Sequence, residues 1–258
     1  MVLNHGFGAS CLSFKPLLPQ LSSFIIPDLP GFGYTRSLTF GLNHGSKIIN
    51  SLISTTHKNV QFVGHSLGCS TSLKILKEFK GNVKSITLIS PAIFEPKCRR
   101  LLRVPRNLKK LVGLTFGKVF NIVYYLTLKP FLIITLRRIV SSTKFWRNGL
   151  KLAFENVNEE VLERYRLPSL YAGWESCILK FCWSRFTEEN DDFENLVEAS
   201  LKYDVRIVHG KGDRIVKIEN SRRLKEVCEE RGGRVEVVEV EGGHCWHEES
   251  EGVVEYFK

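Results

Sequence analysis

Strand-like apolar runs alternate with stretches of helical spacing along this chain, and this alternation restricts the fold more than any other feature of the sequence. The strand-like runs, bounded by Gly, Pro or Asp, lie at 1–4, 24–27, 60–64, 84–89, 205–208 and 234–240. The helical segments lie near 12–22, 45–57, 67–80, 217–231 and 247–257. Because helices of this length connect parallel strands by right-handed crossovers, the pattern predicts an α/β fold, a mostly parallel sheet with helices on both faces.

The alternation stops between about 95 and 200, where the pattern is mostly helical. We therefore expect a core made of residues 1–95 and 201–258, with residues 96–200 inserted as a helical cap. The most apolar part of the insertion, 111–136, is interrupted by charges, and its longest uncharged run, Val119–Leu128, falls well short of the roughly 20 residues that a membrane-spanning helix needs. Two buried or interfacial cap helices hinged near Pro130 are favoured over a transmembrane helix.

Positive charge is concentrated in the same insertion. The chain has 37 Lys and Arg against 27 Asp and Glu, and residues 96–154 contain fourteen basic and no acidic side chains. A solvated basic outer face of the cap explains this block most simply. The alternative is docking on an anionic membrane, where each Lys or Arg contributes about 1 kcal/mol. Nucleic acid is not expected as a partner because no recognised nucleic-acid module accompanies the charge.

The cysteines and the first residues bear on the compartment. The seven Cys include no C-x-x-C pair and leave one over, which favours a reducing environment. The opening residues MVLNHGFG lack a basic segment followed by an apolar one, so no secretory signal is present in the printed sequence. We expect a cytoplasmic or organellar protein, with peripheral membrane association left open.

The segment Phe62–Gly68 reads as a strand that runs into Gly-x-Ser-x-Gly and then into a helix of small and apolar residues. In a nucleophile elbow the serine sits on a strained turn between a strand and a helix, and only small residues fit two positions before and after it. The helix that follows directs its N-terminal amides at the place where negative charge would develop. Ser66 is therefore the candidate nucleophile.

Two downstream loops carry the partners that such a serine needs. Asp213 lies in the loop after one buried strand, and His244 follows Gly242-Gly243 after the next strand. A serine hydroxyl needs a nearby base at neutral pH, and the imidazole needs a carboxylate that fixes its tautomer. The chain order Ser, Asp, His is the order that a site built on a strand–turn–helix nucleophile requires.

Two upstream loops complete the candidate site. The turn His5–Gly8 can present the backbone amide of Phe7 to an oxyanion, and the amide of Leu67 would be the second donor. The loop Asp28–Gly33 is interpreted as structural, with its Asp and glycines fixing a turn at the border of the pocket.

Taken together, the motifs HGFG, DLPGFG, GHSLG, SPA at 90–92, HGKGD and GGH resemble the α/β-hydrolase superfamily over nearly the whole chain. The resemblance implies Ser66 as nucleophile, His244 as general base and acid, Asp213 as its orienting partner, and Phe7 and Leu67 as oxyanion donors. It implies no metal and no organic cofactor. A serine at the elbow disfavours the haloalkane dehalogenase and epoxide hydrolase branches, which use an Asp there.

The start of the chain departs from the family pattern. Family members usually have two strands before the strand that leads into HGF, whereas Met1 falls almost inside that third strand. We therefore expect the first two strands of the usual sheet to be missing, and a plastid or other targeting segment would lie in the absent part.

Three other histidines compete for the role of base. His247 lies three residues after His244, His65 precedes Ser66, and His209 ends a strand. The Gly-Gly-His loop fits the expected position better than His247, and His65 and His209 are interpreted as structural neighbours. Cys245 and His247 do not form a zinc set, because no second ligand pair lies at zinc spacing.

The sequence thus predicts hydrolysis of a carboxylic ester or related acyl substrate, hydrophobic in character, through an acyl-Ser66 intermediate. Thioester hydrolysis, acyl transfer to an alcohol and carbon–carbon cleavage use the same machinery, and the cap sequence does not choose among them. The alternative from another class is a noncatalytic, receptor-like protein whose pocket binds a small ligand. Substrate identity, oligomeric state and compartment are not encoded in these motifs.

Overall fold

The predicted parallel sheet is present in the structure, a computed structural model that describes residues 1–35, 42–56, 59–95, 128–187 and 191–257. Its strands are β1 (Val2–Asn4), β2 (Asn59–His65), β3 (Asn82–Ile89), β4 (Val205–Gly210) and β5 (Val235–Val240). All neighbouring pairs are parallel, and the spatial order follows the chain order. Within the described residues no strand precedes β1, as the sequence predicts.

Helices occupy both faces of this sheet and the interval between β3 and β4. They are α1 (Leu42–Thr56), α2 (Leu67–Glu78), α3 (Lys129–Ser141), α4 (Thr143–Leu150), α5 (Glu159–Ser169), α6 (Trp174–Thr187), α7 (Asp192–Lys202), α8 (Ile218–Glu230) and α9 (Trp246–Glu249). Two 3-10 helices span Cys11–Gln20 and Val253–Phe257. None of the helices that the structure describes is both long and apolar enough to cross a membrane.

The run at 24–27, predicted as a strand, is reduced to one parallel bridge between Ile25 and Val2. The N–H of Ile25 donates to the carbonyl of Met1 at 2.8 Å, and the N–H of Leu3 donates to the carbonyl of Ile25 at 2.9 Å. Pairing stops there because Pro27 has no N–H with which to continue a ladder. The prediction of a full strand is therefore wrong.

Two predicted helices also differ from the observed elements. Cys11–Gln20 is a 3-10 helix containing Pro16 and Pro19, each of which would lose a hydrogen bond and clash with the preceding turn in an α-helix. The predicted helix at 247–257 is divided into α9 and a separate 3-10 helix. The break occurs where Ser250 is extended and Gly252 has a positive φ of 69°.

The predicted pair of cap helices falls only partly within the described residues, because 96–127 lies outside them. Pro130 stands in the first turn of α3. A proline is well tolerated there because its missing N–H would have no partner in the helix. The residues directly before Leu128 lie outside the described part of the chain, so a hinge near Pro130 stays a prediction. The division into a core and a cap of residues 96–200 stays a prediction, and α7 at its end contributes Phe193 and Leu196 to the same core cluster as α2.

The core is formed by the two faces of the sheet. On one face, Phe62, Leu88 and Ile207 are fully buried with residues of α2 and α7. On the other, Leu3, Val63 and Val208 pack with side chains from the two 3-10 helices and α9, namely Phe14, Phe257 and Trp246. Burying one such side chain contributes about 1.5–3 kcal/mol. The packing fixes the carboxyl ends of all five strands, where the candidate site lies.

Candidate active site

Ser66 lies in a strained turn between β2 and α2. Its φ and ψ are 52° and −114°, a combination that a residue with a side chain rarely adopts. A Cβ at Gly64 would come within 2.6 Å of the backbone of Cys69, and a Cβ at Gly68 would come within 1.9 Å of the carbonyl oxygen of Asn4. The sequence Gly-x-Ser-x-Gly thus follows from the close contact of α2 with β1 and β2, which leaves no room for a Cβ at either glycine.

The turn after β1 lies directly against Ser66. A Cβ at Gly6 would stand 3.2 Å from the Cβ of Ser66, so the backbone of this turn borders the nucleophile position. Within the described residues, the backbone amides of Phe7 and Leu67 donate no hydrogen bond. The role of these two amides as oxyanion donors stays a prediction.

His244 and Asp213 meet at the ends of β5 and β4. His244 Nδ1 lies 2.7 Å from Asp213 Oδ2, and both side chains are almost completely buried. The other carboxylate oxygen, Oδ1, accepts hydrogen bonds from the amides of Ile215 at 2.8 Å and Val216 at 2.9 Å. Because the carboxylate can only accept, His244 carries its hydrogen on Nδ1 and leaves Nε2 as the basic atom.

Hydrogen bonding keeps Asp213 ionised. Burial alone would raise the pKa of Asp213, but hydrogen bonds from His209, His244 and the amide of Val216 outweigh it and hold the pKa well below its usual range. The carboxylate is therefore available to stabilise a protonated His244.

No hydrogen bond joins Ser66 to His244 among the described residues. The Oγ of Ser66 has no hydrogen-bond partner among the described residues. The link between the two loops runs through His65, whose Nε2 donates to the carbonyl of His244 at 3.1 Å and whose ring centroid lies 4.9 Å from that of His244. Catalytic hydrogen bonds in ligand-free sites are often long and shorten only with substrate bound.

The histidines beside His244 are held neutral. Burial, with the nearby His247 and His244, keeps the pKa of His65 far below its usual value, and burial lowers the pKa of His247 to about 3. The ring of His247 packs 4.3 Å from that of His65, and neither of its nitrogens has a partner in the part of the chain that the structure describes. Only His244, of these three, contacts a carboxylate.

The Asp28 carboxylate binds backbone amides of neighbouring loops rather than a candidate catalytic histidine. Its carboxylate accepts hydrogen bonds from the amides of Cys11 at 2.6 Å and Tyr34 at 2.8 Å. A Cβ at Gly33 would overlap the carboxylate, at 2.2 Å from Cγ, which explains the glycine at that position. This geometry agrees with the structural role that the sequence analysis assigns to the loop.

One set of contacts near the site could not be predicted from any motif in the sequence. Glu248, four residues after His244, is buried and accepts hydrogen bonds from Tyr165 and from Arg164 at 2.8 Å, both on α5. Burial raises the pKa of Glu248 to about 8, although those two hydrogen bonds act to lower it. Its neighbour Glu249 accepts hydrogen bonds from the amides of Glu155 and Asn156. The inserted helices are thus attached to the loop that carries His244.

An aromatic cluster lies beside the turn that borders Ser66. Phe7, Phe32 and Phe181 of α6 have ring centroids 5.1 to 5.7 Å apart. Phe32 and Phe181 are buried, whereas Phe7 is 52% exposed. An adjoining cavity of about 310 Å³ lies between the Gly31–Thr35 segment and the α5–α6 junction, bordered by Tyr34, Tyr171 and Trp174. These surfaces suit an apolar ligand.

No metal site accompanies these residues. Over the described ranges, no group of three or more His, Cys, Asp or Glu side chains could hold a metal ion.

A doubly covered parallel sheet, a serine on a left-handed turn at its centre and a His–Asp pair on the last two loops define the α/β-hydrolase class. A profile of the Alpha/beta hydrolase family matches residues 1–256, and the chain belongs to this family.

Individual relatives are more distant. The chain is 38% identical over 84 residues to the magnesium-chelatase 30 kDa subunit of Rhodobacter capsulatus, a segment covering 29% of each protein. It is 30% identical over 122 residues to the pimeloyl-(acyl-carrier protein) methyl ester esterase of Shewanella oneidensis, covering 46% of this chain and 45% of that protein. The matched segments thus span less than half of either curated relative. An esterase from Exiguobacterium antarcticum has the same fold, with a TM-score of 0.63, 20% identity and coverage of 99% of this chain and 90% of that one.

Proposed function

We propose that the protein is a serine hydrolase that cleaves a carboxylic ester or a related acyl compound with a hydrophobic part. The observation that carries the proposal is the left-handed turn of Ser66 beside a buried His244–Asp213 pair. The strained turn places the hydroxyl at the N-terminus of α2, and the pair supplies a base of defined tautomer on another loop.

The reaction begins when Ser66 Oγ attacks the carbonyl carbon of the ester and its proton passes to Nε2 of His244. The tetrahedral intermediate collapses with loss of the carbon–oxygen bond to the alcohol, which takes the proton from His244. Water then attacks the acyl-Ser66 ester, gives a proton to His244, and releases the acid as the proton returns to Ser66. Asp213 stays ionised throughout and stabilises the protonated imidazole.

Negative charge on the tetrahedral intermediate would be bound by the amides of Phe7 and Leu67. Gly6 lies against Ser66, and Leu67 is the first residue of α2, so both donors border the same space. Such donors are effective because they are already oriented and need no reorganisation during the reaction.

The preference for a hydrophobic substrate is supported by the exposed ring of Phe7. Phe7 follows Gly6, which lies against Ser66, so its side chain would contact an apolar group that extends from the scissile bond. The named activity of the relative from Shewanella oneidensis, a methyl ester esterase, agrees with ester cleavage as the reaction type.

Turnover of p-nitrophenyl esters, from acetyl to dodecanoyl, tests the proposal. Wild type should release a burst of one nitrophenolate per protein followed by slower turnover, and Ser66→Ala should lose both, with a fall in kcat of about 10⁴-fold or more. Ser22→Ala, which changes an exposed loop serine, is the matched control and should behave as wild type. Equal turnover by Ser66→Ala and wild type would contradict the mechanism.

Three alternatives have distinct experimental outcomes. A transferase gives ester products when an alcohol is added, at the expense of acid. A carbon–carbon hydrolase cleaves vinylogous diketones faster than esters. A receptor-like protein binds the apolar ligand but shows neither a burst nor labelling of Ser66 by a fluorophosphonate, a result that would overturn the proposal.

A further inference from the structure

Asp213 contacts two histidines rather than one. His209, at the end of β4, is fully buried, and its Nε2 lies 3.0 Å from Asp213 Oδ2. The same oxygen lies 2.7 Å from Nδ1 of His244. Oδ1 is occupied by the two backbone amides of Ile215 and Val216, so the two imidazoles share a single carboxylate oxygen.

The surroundings of His209 define its tautomer. Nε2 also lies 2.8 Å from the carbonyl oxygen of Val216, so it faces two groups that can only accept and must carry the hydrogen. Nδ1 lies 2.6 Å from the hydroxyl of Ser221 on α8, which can donate to it. A neutral His209 with its hydrogen on Nε2 satisfies all of these contacts.

We propose that His209 is a positioning residue that divides the charge of Asp213 between two imidazoles and holds Oδ2 in line with His244. This inference rests on the proposed function, in which His244 is the base. His209 does not touch a substrate. It acts through Asp213, and Ser221 acts through His209 by keeping its ring orientation.

The arrangement has a consequence for pH dependence. Among the described residues, the titratable groups near His244 besides Asp213 are His65, His247 and Cys245, and Glu239 on β5 stands opposite His209 in the sheet register. Glu239 is paired with Arg222, at 2.7 and 2.8 Å, on the outside. Removing the donor of His209 leaves the charge of Asp213 to His244 alone, which favours protonated His244 and shifts the acid limb of activity upward.

Three variants of the full chain test this. In His209→Leu the acid limb of the kcat/KM profile should move up by about half a unit to one unit, the equivalent of one hydrogen bond, and the plateau should fall about 5-fold. His209→Gln retains an N–H near the position of Nε2 and should restore most of both. Ser221→Ala should lower the plateau without abolishing it. A folded His209→Leu with an unmoved acid limb and a plateau within twofold of wild type would overturn the proposal.

An imidazole NMR titration reads the same network without any substrate. In the wild-type protein ¹⁵N shifts should place the hydrogen of neutral His209 on Nε2, and a hydrogen on Nδ1 alone would contradict the proposal even if His209→Leu did not fold. Failure of the proposed function shows separately, as absence of burst and of labelling in wild type.

Discussion

Two glycines on either side of Ser66 allow its strained turn because they have no Cβ. Gly64 and Gly68 flank the serine by two positions, and both stand closer to neighbouring backbone than a Cβ allows. The constraint therefore comes from backbone packing between α2 and the strands, which a side-chain rearrangement cannot relieve.

Gly68→Ala should destabilise the protein by about 3 kcal/mol because the new methyl group meets the carbonyl of Asn4 and forces α2 away from β1. Gly149→Ala is the matched control, since a Cβ there meets nothing within 4 Å and alanine favours helix α4 by up to about 1 kcal/mol. Denaturant unfolding of both variants measures the difference. Equal stabilities would show that the close approach at Gly68 does not constrain the turn.

His247 should make the protein sensitive to acid. Its pKa is lowered to about 3 in the folded state by burial, whereas the unfolded chain binds that proton near 6.5. A base with a depressed folded pKa contributes stability that is present above about pH 6.5 and is lost as the pH falls toward 3. Relative to His247→Gln, the wild type should lose about 1.4 kcal/mol per pH unit in this window.

Urea unfolding of the wild type and His247→Gln from pH 7.5 to 4.5 measures this difference. At the upper end neither form titrates at this position, so the offset there gives the packing cost of the substitution alone. Parallel stability curves over the whole range would refute the assignment.

At single positions, the sequence predicts the contact of Asp213 with His244 but not the second contact of Asp213 with His209. The order of the loops after β4 and β5 predicts contact between Asp213 and His244, because carboxyl ends of adjacent parallel strands meet at one edge. The catalytic roles themselves stay predictions. The contact of His209 with Asp213 depends on how the Gly210–Val216 loop turns back on β4, and no residue pattern specifies that path.

At the scale of elements, the helices inserted after β3 are attached to the loop of His244 by a buried cluster. Tyr165 and Arg164 of α5 bind Glu248, while the amide of Cys245 donates to the carbonyl of Ala153 at 2.9 Å. These contacts hold the residues that directly follow His244 against α5 and the Ala153 segment.

A double-mutant cycle measures this attachment. Tyr165→Phe keeps the ring packed on Phe154 but removes the hydroxyl, and Glu248→Ala removes the carboxyl group that accepts from it. Their coupling in unfolding free energy should be about 1 kcal/mol or more because both groups are buried.

The exposed ion pair of Lys15 and Glu160 also joins the 3-10 helix to α5, at 2.8 Å, and provides the control cycle with Lys15→Met and Glu160→Gln. Its coupling should be near zero because solvent screens it. A Tyr165–Glu248 coupling as small as the control would contradict the attachment.

Periodicity predicts element type well where no proline interferes. Four elements begin and end within a few residues of their predicted bounds, namely β2, α2, β4 and α8. The predicted element type is wrong at Pro16, Pro19 and Pro27, because the missing N–H of each proline determines the local backbone geometry. It is also wrong near Gly252, whose positive φ divides one predicted helix into two short helices.

At the scale of the whole molecule, charge and apolar exposure coincide on α3. Phe131 and Ile134 are 65% and 56% exposed, and the basic side chain of Arg138 continues the same helix face. This combination is suited to an anionic lipid surface.

We expect the protein to float with vesicles containing phosphatidylserine and not with neutral vesicles. Phe131→Ser combined with Ile134→Ser should weaken flotation several-fold through loss of apolar burial. Leu201→Ser, which replaces an exposed apolar residue on α7, should leave flotation unchanged. Absence of binding to anionic vesicles at low and high salt alike would rule out the membrane surface and leave the basic block as a solvated face.

The central claim is that Ser66 carries the acyl group. Mass spectrometry of protein quenched in acid during turnover of a p-nitrophenyl ester tests it most directly. The intact mass should increase by one acyl group, which peptide mapping locates on Ser66 and which is absent from Ser66→Ala. A turning-over enzyme with no adduct, or an adduct on another residue that persists in Ser66→Ala, would contradict it.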